Sequence, residues 1–122
     1  MDSVSEKRTQ HLQTLKKQQI QVEETLQTLW KKQYEQEWQE ADYDVMRTEQ
    51  RALQELLHNG WQGDNAQAFH YYIEDVQEQE QRTWKKDIQT EADVLKKEVS
   101  ESKRKFIQLE EQQAQIRKEL TS

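Results

Sequence analysis

Two glycines, Gly60 and Gly63, stand near the middle of this chain of 122 residues, which has no other glycine and no proline. Glycine and proline are the usual punctuation between short elements, so a chain with one such break admits a long helix on either side and little else. The break reads HNGWQGDNAQAF over residues 58–69, with a tryptophan and a glutamine between the glycines.

The spacing of apolar residues agrees with that reading. In the first arm they fall at Leu12, Leu15, Val22, Leu26, Leu29, Trp30, Tyr34, Trp38, Ala41, Val45, Met46, Ala52, Leu53, Leu56 and Leu57. In the second they fall at Ala66, Phe69, Ile73, Val76, Trp84, Ile88, Ala92, Leu95, Val99, Phe106, Leu109, Ile116 and Leu120. Steps of three and four predict helices. From Trp30 the step becomes four through Tyr34 and Trp38, a departure from a strict seven-residue repeat that predicts a straighter bundle helix there.

Asn59-Gly60 follows a Leu-Leu pair and offers a residue tolerant of positive φ, a common way for a helix to stop. Asp64 and Gln67 have the spacing of a capping box for the next helix. These signals predict an all-α chain that is one helical hairpin over residues 1–122, with helices at about 5–58 and 65–120 and a turn at 59–64. A mirror placed at residue 61 pairs Leu12 with Leu109, Leu15 with Phe106, Leu26 with Leu95, Trp30 with Ala92, Tyr34 with Ile88 and Trp38 with Trp84.

Hydrophobic residues make up 32% of the chain and charged ones 34%, lean material for a globular core, although ten aromatics (4 Trp, 4 Tyr, 2 Phe) argue against a disordered tail. Two long helices cannot hide tryptophans on both flanks of one stripe. The hairpin is therefore expected to complete a four-helix bundle with a partner, either a second copy or another chain. Leu26, Trp30, Tyr34, Trp38, Phe69, Ile73, Trp84 and Ile88 are the expected interface.

The net charge of −6 is unevenly placed. Residues 35–80 hold twelve acids and two arginines, −10, which leaves +4 for the rest. Nucleic acid is not an expected ligand for so acidic a chain, and interfacial membrane helices favour basic polar faces. The N-terminus MDSVSEKRTQ lacks the apolar stretch of a signal peptide, and no run reaches a membrane span, so export would use a leaderless route. The absence of cysteine excludes disulfides and thiolate zinc sites. No cofactor, metal or catalytic residue is expected. His11, His58 and His70 have no nucleophile or phosphate loop beside them, and His58 and His70, which flank the turn, read as satisfied or solvent-facing histidines rather than a ligand pair.

Trp61-Gln62-Gly63 between two long helices, followed by Asp64-x-Ala66-x-x-Phe69, resembles the WXG superfamily of helical-hairpin proteins handled by type VII secretion systems. The resemblance implies that Trp61 tucks into the groove beside the helix ends and that Gly63 allows the tight turn. Were the ring fully buried, its loss would weaken association by about 2–4 kcal/mol. Family members are nearer a hundred residues, and many carry a signal Tyr-x-x-x-Asp/Glu late in or beyond the second helix. Here Tyr71 and Asp75 match it literally but lie close after the turn, while Phe106 and Glu110 are an aromatic-to-acid analogue that also sits on the apolar seam. Without a clear signal, the chain looks more like the small partner and targeting proteins of LXG-type toxins. That likeness implies a non-enzymatic, cytoplasmic export chaperone, itself secreted or not, that binds the toxin's helical N-terminal domain. The alternatives are a self-associating secreted WXG-type homodimer and a cytoplasmic coiled-coil scaffold, in which residues 60–63 would be a kink in a rod.

Overall fold

The computed structural model describes residues 3–121. Two helices of 58 residues each, α1 (Ser3–Gly60) and α2 (Asp64–Thr121), pack against each other as a helical hairpin. There is no strand among the described residues. The connection is residues 61–63, shorter at both ends than the expected turn. The Trp61 amide donates to the Leu57 carbonyl at 2.9 Å and closes the last turn of α1, so Gly60 is helical. The left-handed residue is Gly63, with φ 118°, and not Asn59 or Gly60. Its carbonyl accepts from the Gln67 amide at 2.9 Å, which makes Gly63 the residue that caps α2. The capping box is not formed: the Gln67 side chain donates to the Tyr71 hydroxyl at 3.2 Å instead of reaching back. Asp64 stands in the first turn, where the helix dipole favours its charge.

The chain divides into two compact units, residues 1–33 with 94–122 and residues 34–93. The first unit holds the apolar core. Leu15, Val22, Leu26 and Leu29 from α1 and Leu95, Val99, Leu109 and Ile116 from α2 form one buried cluster, with Leu12, Phe106 and Leu120 packed on it. The buried and half-buried positions of α1 here run Ser5, Arg8, Leu12, Leu15, Gln19, Val22, Leu26, Leu29, Gln33, an unbroken alternation of three and four. That is the seven-residue repeat of a coiled coil. One layer is polar: buried Gln113 donates from Nε2 to Gln19 Oε1 at 2.7 Å and accepts on Oε1 from Arg117 at 3.1 Å.

The second unit is built differently. Its buried residues are Ala66, Gln36 and His70, so a single methyl is the whole of its buried apolar content. The inner face of α1 continues at seven-residue spacing with Gln36, Tyr43, Arg47, Gln50 and Gln54. Gln36 Nε2 donates to the Ile88 carbonyl at 3.1 Å, Gln54 donates to Gln77, and the Tyr43 ring stacks on Trp84 with centroids 3.7 Å apart and planes 11° from parallel. The sequence placed Trp38, not Tyr43, against Trp84. The seven-residue repeat resumes past Leu29 on Gln33, Gln36, Tyr43, Arg47, Gln50 and Gln54, skipping exposed Glu40, and Trp30, Tyr34 and Trp38 lie outside it. The connection centres on residue 62 rather than 61, and side chains lean toward the N-terminus of their own helix; both effects move antiparallel partners to later residues than a mirror at 61 suggests. Among the described residues no buried side-chain nitrogen or oxygen lacks a hydrogen-bond partner, which is why a glutamine seam is tolerable at all.

Candidate interaction surface

The residues expected at an interface separate into three groups. Leu26 is buried in the core of the first unit, 6% exposed. Ile73, Trp84 and Ile88 are half-buried in the second unit. Trp30, Tyr34, Trp38 and Phe69 are 41–60% exposed, and these four present apolar surface to solvent.

Sequence periodicity missed what lies beside them. Val45, Met46, Leu53, Leu56 and Leu57 are also 45–69% exposed, although all five belong to the apolar stripe read from the sequence. The signal that identifies them is the continuity of the glutamine seam. Once Gln36, Tyr43, Gln50 and Gln54 occupy the inner face, an apolar residue between them must point elsewhere. At about 100° per residue, Tyr34, Trp38, Ala41, Val45 and Ala52 fall within an arc of roughly 60° on α1, away from that seam. Tyr34 and Trp38 already meet edge to face, centroids 6.2 Å apart. Within the second unit, α1 thus turns glutamines inward and leaves most of its large apolar residues at the surface, while α2 keeps Ile73, Trp84 and Ile88 half-buried; a self-sufficient helical hairpin would bury the apolar residues of both helices.

At the turn, four rings gather. Trp61 lies 5.3 Å from Phe69 and 5.7 Å from His70, and His58 stands edge-on to His70 at 4.6 Å. His70 Nε2–H donates to the Trp61 carbonyl at 3.0 Å, satisfying a group that the end of α1 would leave orphaned. No group of three or more His, Cys, Asp or Glu side chains that could hold a metal ion occurs among the described residues. Trp61 itself is 45% exposed. It covers the turn with one face and leaves the other open, so the cost expected for removing a fully buried ring does not apply within the chain. Beside it, Leu53, Leu57, His58, Phe69, His70 and Ile73 line a shallow groove of about 350 Å³.

In the first unit, Leu26, Trp30, Phe106 and Ile107 line a second concavity of about 550 Å³, with Glu23 and Lys103 at its edge. Phe106 is half-buried against the core while Glu110 is exposed, so the two residues of the analogue signal do not form one accessible motif. Tyr71 and Asp75 are both exposed, but the Tyr71 hydroxyl is already engaged by Gln67. No helix among the described residues is long and apolar enough to cross a membrane. Comparison with family models, with curated proteins and with solved structures finds no match for this chain.

Proposed function

We propose that the chain is a non-enzymatic binding partner that docks on the helical N-terminal domain of an LXG-type, type VII-secreted toxin, completes a four-helix bundle with it and assists its export. The observation that carries this reading is the inverted second unit, where eleven large apolar side chains from Tyr34 to Tyr72 are 41–69% exposed while Ala66 is the one apolar residue buried. Fully covering a large apolar side chain is worth about 1.5–3 kcal/mol, so a partner helix reaching even a few of them has a sufficient driving force. The W-x-G turn between two long helices supports the secretion context. The extended-scaffold alternative needed a kink at residues 60–63, whereas the helices fold back on each other.

Co-expression with such a toxin domain, co-purification and native mass measurement test the reading. A stoichiometric heteromer that is lost on Trp38→Lys is the expected result. A chain that remains a monomer at high concentration and ignores toxin domains defeats the proposal. A homodimer formed without them supports the self-associating alternative.

A further inference from the structure

The outer face of α1 in the second unit has the grammar of a coiled-coil seam, and the charges beside it state what kind of helix it accepts. With Trp38 written as position a of a heptad, the a positions are Trp38, Val45 and Ala52 and the d positions are Tyr34, Ala41 and Thr48, all exposed. The flanking e positions are then Glu35, Asp42 and Glu49, and the g positions are Glu37, Asp44 and Arg51, all exposed as well. In paired helices the e and g residues face their counterparts on the partner and decide which partner is allowed. Five of these six are acidic, and the unit they belong to, residues 34–93, carries fifteen acids against five bases, −10.

Resting on the reading that a partner chain covers this unit, we infer that the occupant of the Tyr34–Ala52 seam is a basic amphipathic helix of a different protein, with apolar residues at heptad spacing and Lys or Arg at the positions flanking them. A second copy is disfavoured on this face, because pairing the seam with itself in either direction sets acid against acid at nearly every flanking position. The apolar seam supplies adhesion and the acids supply selection. Small residues at Ala41 and Ala52 let the incoming backbone approach closely, and the Tyr34–Trp38 pair gives the seam a ready-made aromatic anchor.

The test uses the full chain and synthetic helical peptides of about three heptads, with Leu at a and d and either Lys or Glu at e and g, together with a Lys peptide of identical composition but scrambled order. Binding is read by calorimetry and by tryptophan fluorescence at about 50 mM and about 500 mM salt. The patterned Lys peptide should bind in a one-to-one ratio, while the Glu peptide and the scrambled Lys peptide should not. Neutralising the e positions together (Glu35→Gln, Asp42→Asn, Glu49→Gln) should weaken it roughly tenfold, and reversing them to lysine should transfer preference to the Glu peptide. Helical circular dichroism checks that each variant folds, and Trp38→Lys provides an independent knock-out of the seam. Equal binding of the two charge types, equal binding of scrambled and patterned peptides, or a preference that survives the charge reversal would overturn the inference. A chain that shows the peptide preference but ignores the toxin domain leaves this inference standing and removes the toxin reading. A chain that binds the toxin domain but shows no charge preference does the reverse.

Discussion

Replacing Tyr43 and Trp38 by alanine, one at a time, distinguishes the two ways of threading the second unit. Tyr43 is half-buried and stacked on Trp84 at 3.7 Å, whereas Trp38 is 57% exposed and touches Tyr34 edge-on. Truncating a fully buried aromatic costs about 3–5 kcal/mol. Tyr43 is partly exposed, so roughly half of that applies, with the stacked pair included; a loss of about 2–3 kcal/mol is expected. For Trp38 the exposed ring forfeits little, and alanine is the better helix former by up to about 0.7 kcal/mol, so the net change should lie within about 0.5 kcal/mol of zero. Thermal unfolding followed by circular dichroism, at a concentration low enough to hold the chain monomeric, reads both. At about 3–6 °C per kcal/mol for a chain of this size, Tyr43→Ala should melt roughly 6–18 °C below the parent and Trp38→Ala within a few degrees of it. If Trp38→Ala proves the more damaging of the two in the monomer, the aromatic row is the inner seam after all, and the inverted unit on which the functional proposal stands is lost.

The two glycines should respond in opposite senses. Neither has a neighbour within 4 Å of a built Cβ, so conformation alone decides: Gly63→Ala at φ 118° should cost about 1–3 kcal/mol, while Gly60→Ala in the last turn of α1 should gain up to about 1 kcal/mol in denaturant unfolding. His70→Ala removes the donor to the Trp61 carbonyl together with three ring contacts, and a loss of about 1–3 kcal/mol with a red-shifted Trp61 emission is expected in a variant retaining no other tryptophan; an unshifted spectrum would mean that the ring is not held there. Amide hydrogen exchange should separate the units. Amides of residues 34–93 should exchange at least about tenfold faster than those around Leu15–Leu29 and Leu95–Ile116, because helix stability follows buried packing; uniform protection would contradict the division.

Much of the fold was readable before any coordinates. One glycine-flanked break in a proline-free chain, with apolar steps of three and four on both sides, leaves a helical hairpin as the simplest outcome, and the core residues of the first unit, from Leu15 to Leu29 and from Leu95 to Ile116, were all on the stripe as read. The register was not, because the mirror was centred one residue early and a mirror of residue numbers ignores the lean of side chains along each helix. Nor was the inner seam of the second unit. Glutamine is counted as a surface residue, and the hydrogen bonds that let Gln36, Gln54 and Gln113 turn inward depend on what lies across from them, which a one-chain pattern does not display. Reading Trp30, Tyr34 and Trp38 as the inner row followed directly from that omission. The capping error has the same origin: Gln67 had the spacing to reach back to the helix start, but Tyr71 one turn ahead offered a competing acceptor.

The glutamine seam also explains why exposure in the second unit is not an accident of aromatic content. A polar residue at a seam position fixes register while giving up the burial that an apolar residue there would contribute, so a hairpin stapled by Gln36 and by the Gln54–Gln77 pair holds its alignment with little adhesion of its own. Had the aliphatic and aromatic residues of α1 been placed inward, the unit would be a self-contained pair of helices with a solvated acidic exterior and nothing to offer another chain. With the order reversed, the internal pairing sets geometry and the outer face holds the unspent apolar surface, flanked by Glu35, Asp42 and Glu49 on one side and Glu37 and Asp44 on the other. Under the proposed docking, a partner helix that binds the folded form and not the unfolded one would raise the second unit's stability by mass action. Saturation with a helix that covers Tyr34, Trp38 and Val45 should therefore slow exchange in residues 34–93 while leaving the first unit's core amides unchanged, and protection spread evenly over both units would place the docking surface elsewhere.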